Sequence, residues 1–78
     1  MEVALLVRVK LIEFRGERSQ EEMGSKYGVT QQTWSNWERG IKTPSPAIMR
    51  QIEIESGLAM EVTFFDVFNN LKLLKRVI

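Results

Sequence analysis

Apolar residues recur at three- and four-residue spacing along most of the chain, and that period predicts helices. Val3, Leu6, Val7, Lys10 and Phe14 share one face of a predicted helix from about Val3 to Arg15, with Leu5, Val9 and Ile12 widening its apolar arc. The β-branched residues in this segment keep a strand open as a second reading. Met23 and Tyr27, four apart, predict an inward face for a helix from Gln20 to about Tyr27. Trp34 and Trp37 do the same for a helix from Gln31 to about Arg39. Ile48, Met49, Ile52 and Glu55 mark a helix from Pro46 to about Ser56. Phe64, Val67, Phe68, Leu71, Leu74 and Ile78 predict a last helix from Phe64 toward Arg76, unless Asn69-Asn70 ends it and leaves 71–78 as a tail or strand. Leu58 to Val62 reads as a connector or a single helical turn.

The polar positions supply starts and stops. Ser19 and Glu22 have the spacing of a capping box, in which each side chain satisfies the other's backbone N–H. Thr30 caps the next helix, and Ser45 followed by Pro46 is a strong helix start. Thr63 with Asp66 has the spacing of a second capping box. Gly28, Gly40 and Gly57 each follow a helical run, where positive φ closes a helix cheaply. Gly24 lies beside Met23 on the inward side, where a missing Cβ permits close approach of another helix. Val29 should plug the corner between two helices.

Composition narrows the class. The chain has 78 residues, which predicts one domain over 1–78 with a modest core. It contains no Cys and no His, so disulfides and the usual zinc sites are not expected, and the commonest catalytic groups are missing. No nucleophile–base set, metal cluster or phosphate loop stands out, so neither an enzyme nor a cofactor is expected. No apolar run approaches the roughly 20 residues that cross a membrane. Met1 to Val7 is too short for a signal peptide, and the expected location is cytoplasmic. The net charge of +1 is weak support for a nucleic-acid partner.

The helix from Gln31 carries Gln31, Gln32, Thr33, Ser35 and Asn36 on its outer faces. Carboxamides bond bidentately to adenine in the major groove, and Thr methyls touch thymine methyls. A solvated surface helix is the plainer reading of the same residues, and composition alone leaves both standing.

The run from Ser19 to Gly40 resembles the helix-turn-helix family of lambdoid phage repressors and Cro proteins, the XRE or Cro/C1 family. The resemblance rests on Gln20, Gly24, Gly28, Val29, the inward positions Met23, Tyr27, Trp34 and Trp37, the run Trp37-Glu38-Arg39-Gly40, and Pro44-Ser45. It implies an all-α, five-helix fold similar to the lambda repressor DNA-binding domain. It also implies a transcriptional regulator, a repressor, that lays helix 31–39 in the major groove of double-stranded DNA. Gln31, Gln32, Thr33, Ser35 and Asn36 would then read bases. Ser19 and Gln20, at a helix start, and Arg39, Lys42 and Thr43, around the following loop, would contact phosphates.

Two positions depart from the pattern, and the first is Arg18, where members often carry an apolar residue just before the capping Ser. Many members pair an Arg of the first helix with the Glu of the recognition helix, and the corresponding residue here is Glu13. A local substitute is Glu38 with Arg15 or Arg39. A homodimer on a palindrome is expected, because one such helix reads only a few base pairs. The apolar tail LKLLKRVI, within a C-terminal 63–78 segment, is the candidate dimer contact. The competing reading is a protein-interaction module, or an antitoxin-type subunit that binds a protein partner with the same fold.

Overall fold

The structure is a computed structural model, and it describes residues 7–68. Five helices follow in order: α1 (Val9–Arg15), α2 (Gln20–Lys26), α3 (Gln31–Glu38), α4 (Pro46–Ser56) and α5 (Met60–Thr63). A further helical turn covers 65–68, and no strand is present among the described residues. The fold is all-α and similar to that of the lambda repressor DNA-binding domain. No helix among the described residues is long and apolar enough to cross a membrane.

The helix starts follow from the polar residues. Ser19 Oγ accepts from Glu22 N at 2.9 Å, and Ser19 N donates to Glu22 Oε1 at 2.7 Å, which completes the capping box. Thr30 and Ser45 cap α3 and α4 through Thr33 N and Ile48 N, with Pro46 at the first turn of α4. Gly28 closes the α2 end at φ +74° and Gly57 closes α4 at φ +77°, both left-handed.

The core gathers Leu11, Met23, Trp34, Trp37, Met49, Ile52 and Phe64, one or two from every helix except α5. Trp34 stacks on Tyr27 with ring centroids 5.6 Å apart and meets Trp37 at the same distance, tilted by 60°. Two Trp on a helix of eight residues anchor α3 by its inner face. Tyr27 Oη donates to Glu55 Oε1 at 2.5 Å, which ties the α2 end to α4. Burial, and then this bond, push the Tyr27 hydroxyl well above its ordinary pKa.

The N-terminal helix differs from the expectation. Within the described residues it starts at Val9, because Arg8 leaves helical geometry at φ −85°, ψ 82° and turns its side chain inward. The inward residues are therefore Arg8 and Leu11, both essentially buried, while Val7, Val9 and Lys10 lie outside. Residues 1–6, including the expected helical positions Val3 and Leu6, lie outside the described residues.

The C-terminal end also differs. Thr63 sits inside α5 with its hydroxyl buried and without a hydrogen-bond partner among the described residues, so it caps nothing. Phe64 is non-helical at φ −119°, ψ 46°, and separates α5 from the turn at 65–68. Asp66 does not close a capping box; its carboxylate reaches Arg8 instead. Glu55, expected inward, is on the outer side of α4. The remainder of the predicted last helix, and the tail expected as a dimer contact, lie outside the described residues.

Candidate nucleic-acid interface

The unit formed by α2 and α3 is held at its corner by backbone contact. A Cβ built on Gly24 would lie 2.7 Å from the Val29 carbonyl oxygen and 2.8 Å from that of Thr30. The close approach permitted by Gly24 is therefore that of the turn itself, rather than of another helix. Val29 N donates to Gly24 O at 2.8 Å and seals the corner.

A buried carboxylate braces the other end of the unit. Glu38, 2% exposed, accepts from Arg15 Nε at 2.6 Å, Trp34 Nε1 at 2.6 Å and Gln20 Nε2 at 2.9 Å. Of the two substitute braces left open by the sequence, Arg15 and Arg39, it is Arg15 that pairs with Glu38, in place of a partner at position 13. Arg15 Nη1 also donates to the Arg18 carbonyl, so one guanidinium ties the start of α2 to the end of α3. A carboxylate only accepts, so the Gln20 amide must turn its nitrogen toward Glu38. Its second N–H remains for an outside acceptor.

The outer face of α3 carries the sequence-predicted base readers. Gln31 and Gln32 are exposed at its N-terminal end, and Thr33, Ser35 and Asn36 are half-buried. Gln32 Nε2 donates to Asn36 Oδ1 at 3.0 Å, so the two amides form one oriented pair. Thr30 Oγ1 donates to Thr33 Oγ1 at 3.0 Å, which commits Thr33 partly to the cap.

The loop after α3 folds back onto that helix. Ile41 N and Lys42 N both donate to the Asn36 carbonyl, at 2.9 and 3.3 Å. Arg39, Lys42 and Thr43 are exposed there, and Ser19 is exposed at the α2 start. Arg15 and Glu38 connect these two groups.

The distribution of charge is more informative than its sum. Ion pairs among the described residues engage Arg8, Lys10, Arg15, Lys26 and Arg50. Arg18, Arg39 and Lys42 make none with described residues, and they flank the α2 start and the loop after α3. The sequence marks Arg18 as a departure from the family pattern, not as a contact residue. It packs over Phe14 at 5.2 Å and donates to the carbonyls of Phe14 and Arg15, immediately before Ser19.

Two further residues were not legible as functional. Arg8 and Asp66 are 58 positions apart, and Arg8 Nε and Nη2 meet the two carboxylate oxygens at 2.8 Å each. Arg8 Nη1 donates to the carbonyls of Trp37 and Lys42, Nη2 also to Thr43 Oγ1, and the guanidinium lies 5.2 Å from the centre of the Phe64 ring. The hydrogen bonds from Arg8 hold the Asp66 carboxyl below the usual carboxylate range, against the opposing effect of burial. No group of metal-ligating side chains occurs among the described residues.

A protein-family model described as helix-turn-helix matches residues 11–57. That span contains most of α1, all of α2 to α4, and all of the interface residues named from the sequence. No curated protein and no solved structure gives a match.

Proposed function

Because the chain belongs to the XRE/Cro-C1-type helix-turn-helix family of DNA-binding regulators, we propose that it is a sequence-specific transcriptional repressor that reads the major groove with α3. The observation that carries this reading is the exposed Gln31–Gln32 pair on a short helix fixed by Trp34, Trp37 and the buried Glu38. Rigid support below and exposed carboxamides above, Gln32 oriented by Asn36, are what direct readout requires, since each misplaced amide forfeits a bidentate bond. Gln31, Gln32 and Asn36 are the principal base readers, with Thr33 and Ser35 beside them. Ser19, Gln20, Arg39, Lys42 and Thr43 contact phosphates and set the register. The protein acts in the cytoplasm as a homodimer on a palindrome with half-sites about one helical turn apart.

The test is selection of bound duplexes from a random DNA pool at moderate salt, with the mass of the protein in solution measured alongside. An enriched palindrome bound by two copies is expected. Weak, salt-sensitive binding without enrichment would favour a partner-binding module on the same fold.

A further inference from the structure

We propose that Arg8 is a positioning residue for DNA-backbone contact, which it controls by orienting Thr43; this rests on the DNA-binding reading above. The guanidinium is 1% exposed and uses all five of its N–H groups. Two hold Asp66, one holds the Trp37 carbonyl at the end of α3, and two hold the loop, through the Lys42 carbonyl at 2.8 Å and Thr43 Oγ1 at 3.0 Å.

The consequence is a fixed direction for two donors. A trans peptide sets its N–H opposite its carbonyl. With the Lys42 carbonyl turned in to Arg8, the Thr43 N–H points out, and it meets no acceptor among the described residues. The Thr43 hydroxyl accepts from Arg8, so its own proton is directed elsewhere, and no described residue takes it. Thr43 is exposed, so these two donors face solvent beside Lys42. Two unengaged donors on an exposed residue next to a lysine suit a phosphate oxygen of the DNA backbone. Asp66 fixes the guanidinium in plane by its bidentate bond, so it acts on the same contact from the C-terminal side.

The experiment measures affinity for mixed-sequence duplex DNA over a salt series, with folding checked by urea midpoint. The variants are Thr43→Val, Thr43→Ser, Asp66→Asn, the double variant Asp66→Asn/Thr43→Val, and Lys42→Ala as reference. Thr43→Val should weaken binding about tenfold with its midpoint near that of the parent. Its salt slope should be unchanged, because a lost hydroxyl releases no counterion. Thr43→Ser should bind like the parent. Asp66→Asn, where folded, should weaken binding severalfold, and the double variant should lose less than the product of the two single losses.

Thr43→Val binding like the parent while Lys42→Ala weakens would overturn the role of Thr43 and leave the DNA reading intact. A double variant that loses the full product would show that Asp66 and Arg8 do not act through Thr43. A parent and Lys42→Ala that are alike in showing no binding would overturn the DNA reading and this inference together.

Discussion

Arg8 and Asp66 close the two ends of the described fold on each other through two parallel 2.8 Å hydrogen bonds. Arg8 precedes α1 and Asp66 lies beyond α5, so the pair joins segments that share no helix. Its surroundings are the ring of Phe64, the end of α3 and the loop that follows. Breaking a buried pair costs more than the pair contributes, because the remaining charge is stranded. Asp66→Ala is expected to destabilise the fold by about 3–5 kcal/mol, read as a shift in the urea midpoint.

The same pair has a signature in acid. The folded-state pKa of Asp66 is lowered, so its stabilisation is fully present above the unfolded value of about 3.9. It is lost as pH falls through that value toward the folded pKa, since the unfolded chain then binds more protons. Urea midpoints between neutral pH and pH 2 should fall more steeply below about pH 4 in the parent than in Asp66→Asn, which cannot titrate there. Parallel curves for the two proteins would contradict the assignment.

Glu38 is a convergence of donors on one carboxylate. Arg15, Gln20 and Trp34 all donate to it; Arg15 and Trp34 offer no acceptor in return, whereas the Gln20 amide can turn its oxygen. Glu38→Gln can keep an oxygen for Arg15 Nε and Trp34 Nε1, but it loses the charge they bind and sets an NH₂ where Gln20 Nε2 and Arg15 Nη2 donate, so Gln20 must flip and Arg15 Nη2 loses its acceptor. The expected loss is about 2–4 kcal/mol. A shifted Trp34 indole N–H resonance should accompany it, because that proton loses its charged acceptor. An unchanged resonance and midpoint would mean that the brace is not formed in solution.

Local rules made most of this fold legible. The capping box at Ser19, the caps at Thr30 and Ser45, and the positive-φ glycines depend on neighbours within four residues, which the sequence displays directly. The inner stripe of Trp34 and Trp37 follows from spacing alone. The ends were misread because long-range contact overrides period there. Arg8 looks like a surface residue until Asp66 pairs with it across the fold, and this inward turn moves the start of α1 to Val9 and its buried position to Leu11. Thr63 and Asp66 have capping-box spacing, but Asp66 is taken by the guanidinium and Thr63 stays inside α5. The Glu38 brace was legible only as a choice between Arg15 and Arg39, and geometry selects Arg15.

The corner between α2 and α3 offers a contrast between two glycines. Alanine is the better helix former by about 1 kcal/mol, yet at Gly24 its Cβ would lie under 3.0 Å from two carbonyl oxygens of the turn. Backbone cannot yield as a side-chain tip does, so Gly24→Ala should destabilise by about 1–3 kcal/mol. Gly28→Ala meets open space, and its cost is confined to the left-handed backbone at φ +74°, about 1–2 kcal/mol. The two differ in kind: Gly24→Ala should also weaken DNA binding in conditions where it stays folded, because it displaces Thr30 and the start of α3. Gly28→Ala should change stability alone. Equal effects of both on DNA binding would show that the corner does not set the pose of α3.

Gln31 and Lys42 separate readout from attraction. Gln31 is exposed at the start of α3 and Lys42 is exposed in the loop behind it, so neither truncation should move the urea midpoint by more than about 0.5 kcal/mol. Gln31→Ala should cost about 1–3 kcal/mol on the selected site and relax the preference at one base pair, while binding to unrelated duplexes is unchanged. Lys42→Ala should weaken binding about equally on every duplex and reduce the salt slope by about one, since one fewer counterion is released. Affinity measured on matched and mismatched duplexes across a salt series distinguishes the two patterns. A uniform loss from Gln31→Ala would move that residue from base reading to phosphate contact, and a sequence-dependent loss from Lys42→Ala would do the reverse.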